Sequence, residues 1–156
     1  MDIKRIEKSD YDEVIKLIKV EFPYVDFDLA KIGERVKSGK VFLFKAVEKG
    51  KLMGFVEVEL LEEGIARING LTVKEEFRKK GVAKKLVEFA VKFLKEKKIE
   101  RVLLLVKEKN EAAKKVYNEA GFKFIGMYKR GLDNAMVEEM ELDISKGSEE
   151  DLSYVG

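Results

Sequence analysis

The spacing of hydrophobic residues changes several times along the chain, and each change marks a predicted element. Weak alternation over residues 3–6 predicts a first strand, and apolar residues three or four positions apart then predict two helices. A capping box of Ser9 and Asp12 opens the first helix, and Pro23 lies just beyond its end. Asp28 opens the second helix, which ends near Gly39.

Strand-like segments dominate the middle of the chain. Three strands joined by tight turns are predicted over residues 41–47, 52–61 and 65–73. From residue 81 to 97 the apolar period becomes helical. The uninterrupted apolar run at 102–106 is typical of a strand that is buried on both faces. Asn110 then caps a helix that Gly121 ends, and the last two strands are predicted over 122–128 and 135–144.

This order of elements, β-α-α-β-β-β-α-β-α-β-β, predicts the fold class. We expect an α/β (α+β) architecture with a mixed, mostly antiparallel central sheet of about seven strands and about four helices. The β-α-β crossover near the end is expected to be parallel and right-handed. A single domain is predicted over 1–144, followed by a polar tail over 145–156.

Composition removes several kinds of chemistry. The chain of 156 residues is 46% hydrophobic and 40% charged, which is too apolar for a disordered chain. It contains no cysteine and no histidine, so it has no disulfide, no thiolate nucleophile, no Ser-His-Asp triad and no thiolate-bound zinc. We therefore expect no metal site. The absence of a long apolar run and of a signal peptide predicts a cytoplasmic protein without a membrane partner.

One basic turn stands between a predicted strand and a predicted helix. Residues 74–98 hold ten Lys or Arg and four Glu, a local charge of +6 in a chain of +2. Within this segment, Arg78 to Ala83 join the strand to the helix through Gly81. Backbone N–H groups at such a helix start bind anions, and glycine lets phosphate oxygens approach. The P-loop and dinucleotide signatures are absent, so a solvated basic surface stays open as the other interpretation.

A second group of residues follows the next buried strand: Asn110, Ala113, Tyr117, Gly121 and Phe122. Each has a purely structural explanation, because Asn110 can be a helix cap, Tyr117 a core aromatic and Gly121 a helix stop.

Taken together, the two groups resemble the GNAT acyltransferase superfamily, which uses acetyl-CoA. Arg78-x-x-Gly81-x-Ala83 is similar to its Arg/Gln-x-x-Gly-x-Gly/Ala signature, and the segment from Asn110 to Phe122 is similar to its second motif. The resemblance covers almost the whole chain, from Ile3 to about Ile144. It implies a GNAT-like sheet and a transferase that binds acetyl-CoA as cosubstrate.

The resemblance also implies roles for individual residues. The main chain of the turn would hold the CoA pyrophosphate, and the end of the preceding strand would pair with pantetheine. Asn110 and Ala113 would contact the cofactor, and Tyr117 would protonate the departing thiolate. The expected cofactor-binding residues are Leu71, Thr72, Val73, Arg78, Lys79, Lys80, Gly81, Val82, Ala83, Lys84, Asn110, Ala113 and Tyr117.

The general base departs from the family pattern. Many members that acetylate protein N-termini carry Glu five positions before the motif Asn, and here that position is Leu105. Glu57, Glu59 and Asn69 are the substitutes, and Glu57 is our choice as catalytic base. The competing interpretation is that both glutamates form the wet face of an antiparallel strand. A second departure is the short loop over 129–134, which lacks the tyrosine pair of peptide acetylators.

The leading hypothesis is an N-acetyltransferase in which a primary amine attacks acetyl-CoA directly in a ternary complex, with the Val73 amide polarising the thioester oxygen. The acceptor is either a small molecule or a peptide or protein amine. A non-catalytic acyl-CoA sensor is the alternative. Nucleic-acid binding through Arg78, Lys79 and the lysines at 80, 84 and 85 is the third hypothesis, and we expect no such partner. A homodimer formed through residues 135–156 is a further possibility.

Overall fold

A computed structural model describes residues 1–129 and 133–145 of the chain. It contains a seven-stranded sheet with four helices, in the predicted order of elements. The helices are α1 (Tyr11–Glu21), α2 (Leu29–Lys37), α3 (Val82–Glu96) and α4 (Glu111–Glu119). The strands are β1 (Asp2–Arg5), β2 (Val41–Glu48), β3 (Lys51–Leu60), β4 (Ile65–Val73), β5 (Arg101–Lys107), β6 (Lys123–Lys129) and β7 (Met136–Asp143).

The strands lie in the order β1-β2-β3-β4-β5-β7-β6. Every neighbouring pair is antiparallel except β4 and β5, which are parallel, as a crossover through a helix requires. The predicted fold class, a mixed and mostly antiparallel sheet of about seven strands with about four helices, is therefore confirmed. Residues 146–156 of the predicted tail and 130–132 of the loop lie outside the described residues, and the predicted domain boundary stays a prediction.

Two apolar clusters cover the two faces of the sheet. On one face α1 and α2 pack on β2 and β3, with Ile32 and Leu43 almost fully buried. On the other face α3 and α4 pack on the middle strands, with Leu86 and Leu104 at the centre of the cluster. The strands alternate between these faces because successive side chains point in opposite directions. As a result, the middle of the sheet has an α1–α2 face and an α3–α4 face.

Two local predictions were wrong. The first concerns the start of α1, where no capping box of Ser9 and Asp12 forms; instead Asp10 Oδ2 accepts a hydrogen bond from the Glu7 N–H at 2.7 Å in a short 3₁₀ turn. The second concerns β5. Val102, Leu104 and Val106 are buried, but Leu105 is 41% exposed, so this strand is open on its α1–α2 face.

The outer edge of the sheet is apolar and uncovered. In β6 the side chains of Phe124, Ile125, Met127 and Tyr128 are all exposed among the described residues, and a lysine stands at each end of the strand.

Close approach of two strands makes one glycine essential. Gly54 in β3 lies opposite Val73, and a Cβ atom at Gly54 would overlap the carbonyl oxygen of Thr72 and come within 3.0 Å of the Val73 Cα. Since the obstacle is main chain, it cannot be relieved by a side-chain rotation.

We predict that Gly54→Ala lowers the free energy of unfolding by about 1–3 kcal/mol, because the added methyl group forces β3 and β4 apart. Urea unfolding measures the change. Gly126→Ala is the matched control, since Gly126 is also a strand glycine and a Cβ there meets nothing within 4 Å. Equal stability of the two variants would contradict the prediction.

Candidate active site

Strands β4 and β5 separate halfway along their length. Their pairing runs from Ile65–Arg101 to Ile68–Leu104 and then stops, whereas β4 continues to pair with β3 as far as Val73. A register shift in the β3–β4 ladder between Glu57 and Val58 accompanies the separation, and such bulges bend a strand. The main chain from Leu71 to Val73 therefore borders an open gap, because β5 does not pair with it.

The basic turn lies beyond the end of β4 and leads into α3. Lys79 and Gly81 adopt left-handed backbone angles, with φ of 64° and 79°. The first main-chain bond at the helix start runs from the Lys85 N–H to the Gly81 carbonyl at 3.1 Å. Among the described residues, no hydrogen-bond acceptor is provided for the N–H groups from Lys79 to Lys84. A Cβ placed at Gly81 would meet nothing within 4 Å, so the turn is open to an anion.

The side chain of Arg78 has a different position from the rest of the turn. Its Nε donates to the Val73 carbonyl at 3.0 Å, and its guanidinium pairs with the carboxylate of Glu21 at 2.6 Å. Lys74 pairs with Glu13 of the same helix at 2.6 Å. These contacts tie the end of β4 to α1. The sequence analysis missed this role of Arg78, because nothing local relates two residues 57 positions apart.

The second motif surrounds the start and the buried face of α4. Asn110 is the helix cap, with its Oδ1 accepting from the Ala113 N–H at 3.1 Å. Among the described residues its amide nitrogen has no hydrogen-bond partner, so this donor is available. Lys114 fixes the helix to β7 through Glu138 at 2.8 Å.

Tyr117 faces inward from α4. Its ring makes an edge contact with Phe122 at a centroid distance of 5.7 Å and joins the apolar cluster that contains Val73 and Val82. Burial raises the pKa of Tyr117 well above its ordinary value, so the phenol stays protonated at neutral pH. The Tyr117 hydroxyl has no hydrogen-bond partner among the described residues. In that part of the chain, Thr72 Oγ1 is the side-chain oxygen that is both unpartnered and fully buried, so the Tyr117 hydroxyl keeps some contact with solvent.

A pocket of about 490 Å³ opens on the α1–α2 face beside the gap. Its apolar side consists of Ile18, Phe22, Tyr24, Val25, Phe27, Phe55, Ile68 and Leu105. Phe22 lies over Gly70, with a ring carbon 3.9 Å from the position of a Gly70 Cβ. Leu105 lines the pocket because the gap leaves its side of β5 uncovered.

The polar side of the pocket is a connected network. Arg35 forms a two-point ion pair with Glu57, one contact being 3.3 Å from its Nε. The amide nitrogen of Asn69 donates to Glu57 at 2.6 Å and to Glu59 at 2.9 Å. Arg67 donates to the Asn69 oxygen at 2.7 Å and to Glu59 at 3.3 Å.

The two glutamates are not a wet strand face. Glu57 is only 6% exposed, and both carboxylates line the pocket. Burial raises the pKa of Glu59, but the hydrogen bond from Asn69 and the charges of Arg67 and Arg35 outweigh burial and lower that pKa overall. Arg35 was missed by the sequence analysis. A signal was present, since Arg35 lies three positions after the fully buried Ile32 and thus shares its helix face.

A comparison with known protein families identifies the family of this chain. A family model described as the Acetyltransferase (GNAT) family matches residues 3–122, which is most of the chain. The chain belongs to the GNAT acetyltransferase family. Acetyl-CoA is the acetyl donor of this family, so the predicted cosubstrate is confirmed at that level. No curated protein sequence matches the chain significantly.

Solved structures share the fold of this GNAT chain. Ard1 from Thermoplasma volcanium is 20% identical, with a TM-score of 0.80 over 92% of this chain and 97% of that one. A SpeG spermidine N-acetyltransferase chimera from Vibrio cholerae and hSSAT is 22% identical, with a TM-score of 0.78 over 94% and 98%. An aminoglycoside 6'-N-acetyltransferase complexed with coenzyme A is 15% identical, with a TM-score of 0.78 over 92% and 97%.

The site of this GNAT chain has donors suited to a diphosphate. The unbonded N–H groups and the exposed lysines of the turn supply positive charge, and the open space above Gly81 lets oxygens approach. No set of described side chains is arranged to hold a metal ion. In the described part of the chain, no helix has the length and apolar character needed to cross a membrane.

We predict that the buried phenol weakens the fold at alkaline pH. Burial raises the pKa of Tyr117 in the folded state above 10.0, the ordinary tyrosine value. Above that pH the unfolded chain loses the phenol proton while the folded protein still holds it, so the free energy of unfolding is unaffected below pH 10.0 and falls as the pH rises further. Relative to the wild type, Tyr117→Phe should gain up to about 1.4 kcal/mol of stability per pH unit above that point. Urea unfolding at pH 8 to 11 measures this; parallel curves for the two proteins would contradict it.

Proposed function

We propose that the chain is an N-acetyltransferase that moves the acetyl group of acetyl-CoA to a primary amine by direct attack in a ternary complex. One observation carries the proposal: the β4–β5 gap has an anion-binding turn at one end and a pocket beside it on the α1–α2 face. Since the chain has neither cysteine nor histidine, we assign no acyl-enzyme step. Holding both substrates together lowers the barrier by up to about 7–11 kcal/mol in favourable cases.

The turn and the gap form the proposed cofactor site. N–H groups from Lys79 to Lys84 bind the diphosphate, and the main chain of Leu71, Thr72 and Val73 aligns the pantetheine chain. Asn110 donates its free amide hydrogens to the same ligand, next to Ala113. Arg78 acts indirectly, since its side chain holds the Val73 carbonyl and α1 in place. Bound acetyl-CoA supplies the activated acetyl group.

Two side chains are assigned to proton transfer. Tyr117 donates a proton to the departing thiolate sulfur, and its burial supports this because the phenol stays neutral until it is needed. Glu57 receives the proton that the amine releases, directly or through one water. Arg35 and Asn69 orient the Glu57 carboxylate and occupy three of its acceptor positions, which leaves room for one further hydrogen bond. The Val73 N–H polarises the acetyl carbonyl oxygen.

Cofactor binding is the first test of this function. Acetyl-CoA at one hundred times its dissociation constant should stabilise the protein by about 2.7 kcal/mol in thermal unfolding. Gly81→Ala should weaken acetyl-CoA binding at least about tenfold, because its methyl group stands where phosphate approaches. Gly50→Ala is the matched control: Gly50 also has a positive φ, of 74°, and open space around it, but lies in the β2–β3 hairpin. Equal affinity of both variants would contradict the assigned site.

Turnover separates the enzyme from the non-catalytic sensor. With acetyl-CoA and a panel of primary amines, the enzyme should release free thiol, and Tyr117→Phe should slow that release without changing the affinity for acetyl-CoA. Binding without thiol release, equal in the wild type and Tyr117→Phe, would instead support an acyl-CoA sensor. A homodimer, a cytoplasmic location and the absence of nucleic-acid partners stay predictions of the sequence analysis.

The role of Glu57 has its own test. Glu57→Gln should lower kcat about 10²–10³-fold, because the amide cannot accept a proton. Glu59→Gln is the control, since Glu59 lies on the same strand and also accepts from Asn69. The decrease in kcat of the Glu59→Gln variant should stay below about fivefold. Equal losses of kcat in both variants would show that the network acts only structurally.

A further inference from the structure

The pocket lining fits a narrower class of acceptor than primary amines in general. Resting on the acetyl transfer proposed above, we propose that the acceptor is a monoamine whose amine-bearing carbon carries an apolar group, and not a polycation such as a polyamine. Two independent features of the pocket lead to this: an aromatic and aliphatic wall, and a polar wall whose charges are already matched.

The apolar wall surrounds most of the pocket. Phe22, Tyr24 and Phe27 come from the segment that ends α1 and leads to α2, and Phe55 and Leu105 come from β3 and β5. A volume of about 490 Å³ is within the ordinary range for a small-molecule site. An apolar substituent of the acceptor would be removed from water against these side chains, which stabilises its bound state in proportion to the area covered.

Both carboxylates of the polar wall already have an arginine partner. Glu57 is paired with Arg35, Glu59 is paired with Arg67, and Asn69 donates to both glutamates. The two carboxylates of the pocket are therefore balanced by two guanidinium groups, and none of the other described residues that line the pocket is acidic.

The balance decides which amines fit. The reacting amine has to be neutral before it attacks, and an apolar surrounding favours the neutral form. Every additional ammonium group of a polycation would have to leave water, and the two carboxylates that could compensate it are already bound to arginine. A monoamine brings no charge beyond that of its reacting group, whose proton goes to the remaining acceptor position of Glu57.

The experiment measures kcat/KM by thiol release at saturating acetyl-CoA and constant ionic strength. The apolar monoamines are isoamylamine, leucinamide and a short peptide beginning with leucine, so that a free small amine and a peptide N-terminus are compared directly. Ethanolamine and glycinamide are the polar monoamines, and spermidine and putrescine are the polycations. We expect kcat/KM for at least one apolar monoamine to exceed that for every polar monoamine and polycation by at least about tenfold.

Two pairs of variants test the two walls. Leu105→Ala should reduce the preference for apolar over polar monoamines, whereas Ile125→Ala, which trims a similarly exposed strand side chain outside the pocket, should not. Arg67→Met frees Glu59 and should raise kcat/KM for spermidine relative to isoamylamine. Arg101→Met is its control, because the Arg101–Glu141 pair has nearly the same exposure, 46% and 23% against 42% and 27%, but lies outside the pocket.

The outcomes separate this inference from the function it rests on. Efficient acetylation of spermidine or putrescine by the wild type, equal to or better than that of every apolar monoamine, would overturn the inference and leave the acetyltransferase function intact. Binding of acetyl-CoA with no thiol release from any amine would overturn both. An unchanged spermidine preference in Arg67→Met would remove the charge-balance argument, and an unchanged apolar preference in Leu105→Ala would remove the argument from the apolar wall.

Discussion

The loss of pairing between β4 and β5 beyond Ile68 and Leu104 is the constraint on which the site depends. Two neighbouring strands normally satisfy each other's main-chain groups along their whole length. Here the pairing ends early, so a length of β4 main chain is available to a ligand and one side of β5 is uncovered. The turn with unbonded N–H groups and the pocket both border this interruption of the sheet, one beyond the end of β4 and the other on the α1–α2 face.

The surrounding structure holds the interrupted strands in place. On β4, the close approach to Gly54 keeps the strand against β3, and Arg78 anchors its last carbonyl to α1. On the other side, β5 stays paired with β7 as far as Lys107. Each border of the gap is thus fastened on the side that faces away from it. A site of this kind positions ligands without first having to order the chain.

Much of the fold followed from local patterns in the sequence. The order of elements could be predicted because apolar spacing switches clearly between strand and helix periods, and the turn at Gly81 could be predicted because a glycine and basic residues stand between such elements. The strand β5 shows the limit of this reasoning. Its unbroken apolar run is equally compatible with two buried faces and with one buried face and one lining a pocket, and only the neighbouring strand decides between them.

The parts of the site that the sequence analysis did not identify were missed for a similar reason. Glu57 could be named as a candidate, but its partner Arg35 is 22 positions away on a helix, and Arg78 finds Glu21 across 57 positions. Such pairs depend on how helices dock, which no local pattern contains. The family resemblance singled out the turn at Gly81 and the start of α4, because the residues of each motif are close together in the chain. It did not locate the pocket beside the gap, whose walls come from α1, α2 and three strands.

The exposed edge of the sheet has a consequence for how the molecule behaves at high concentration. An uncovered apolar strand such as β6 is a template for other strands. Its lysines, Lys123 and Lys129, stand at equal distances from Gly126, so antiparallel pairing of two such edges about that glycine would place ammonium groups directly opposite each other at both ends. Like charges in that arrangement repel, which works against edge-to-edge aggregation while leaving the middle of the strand apolar.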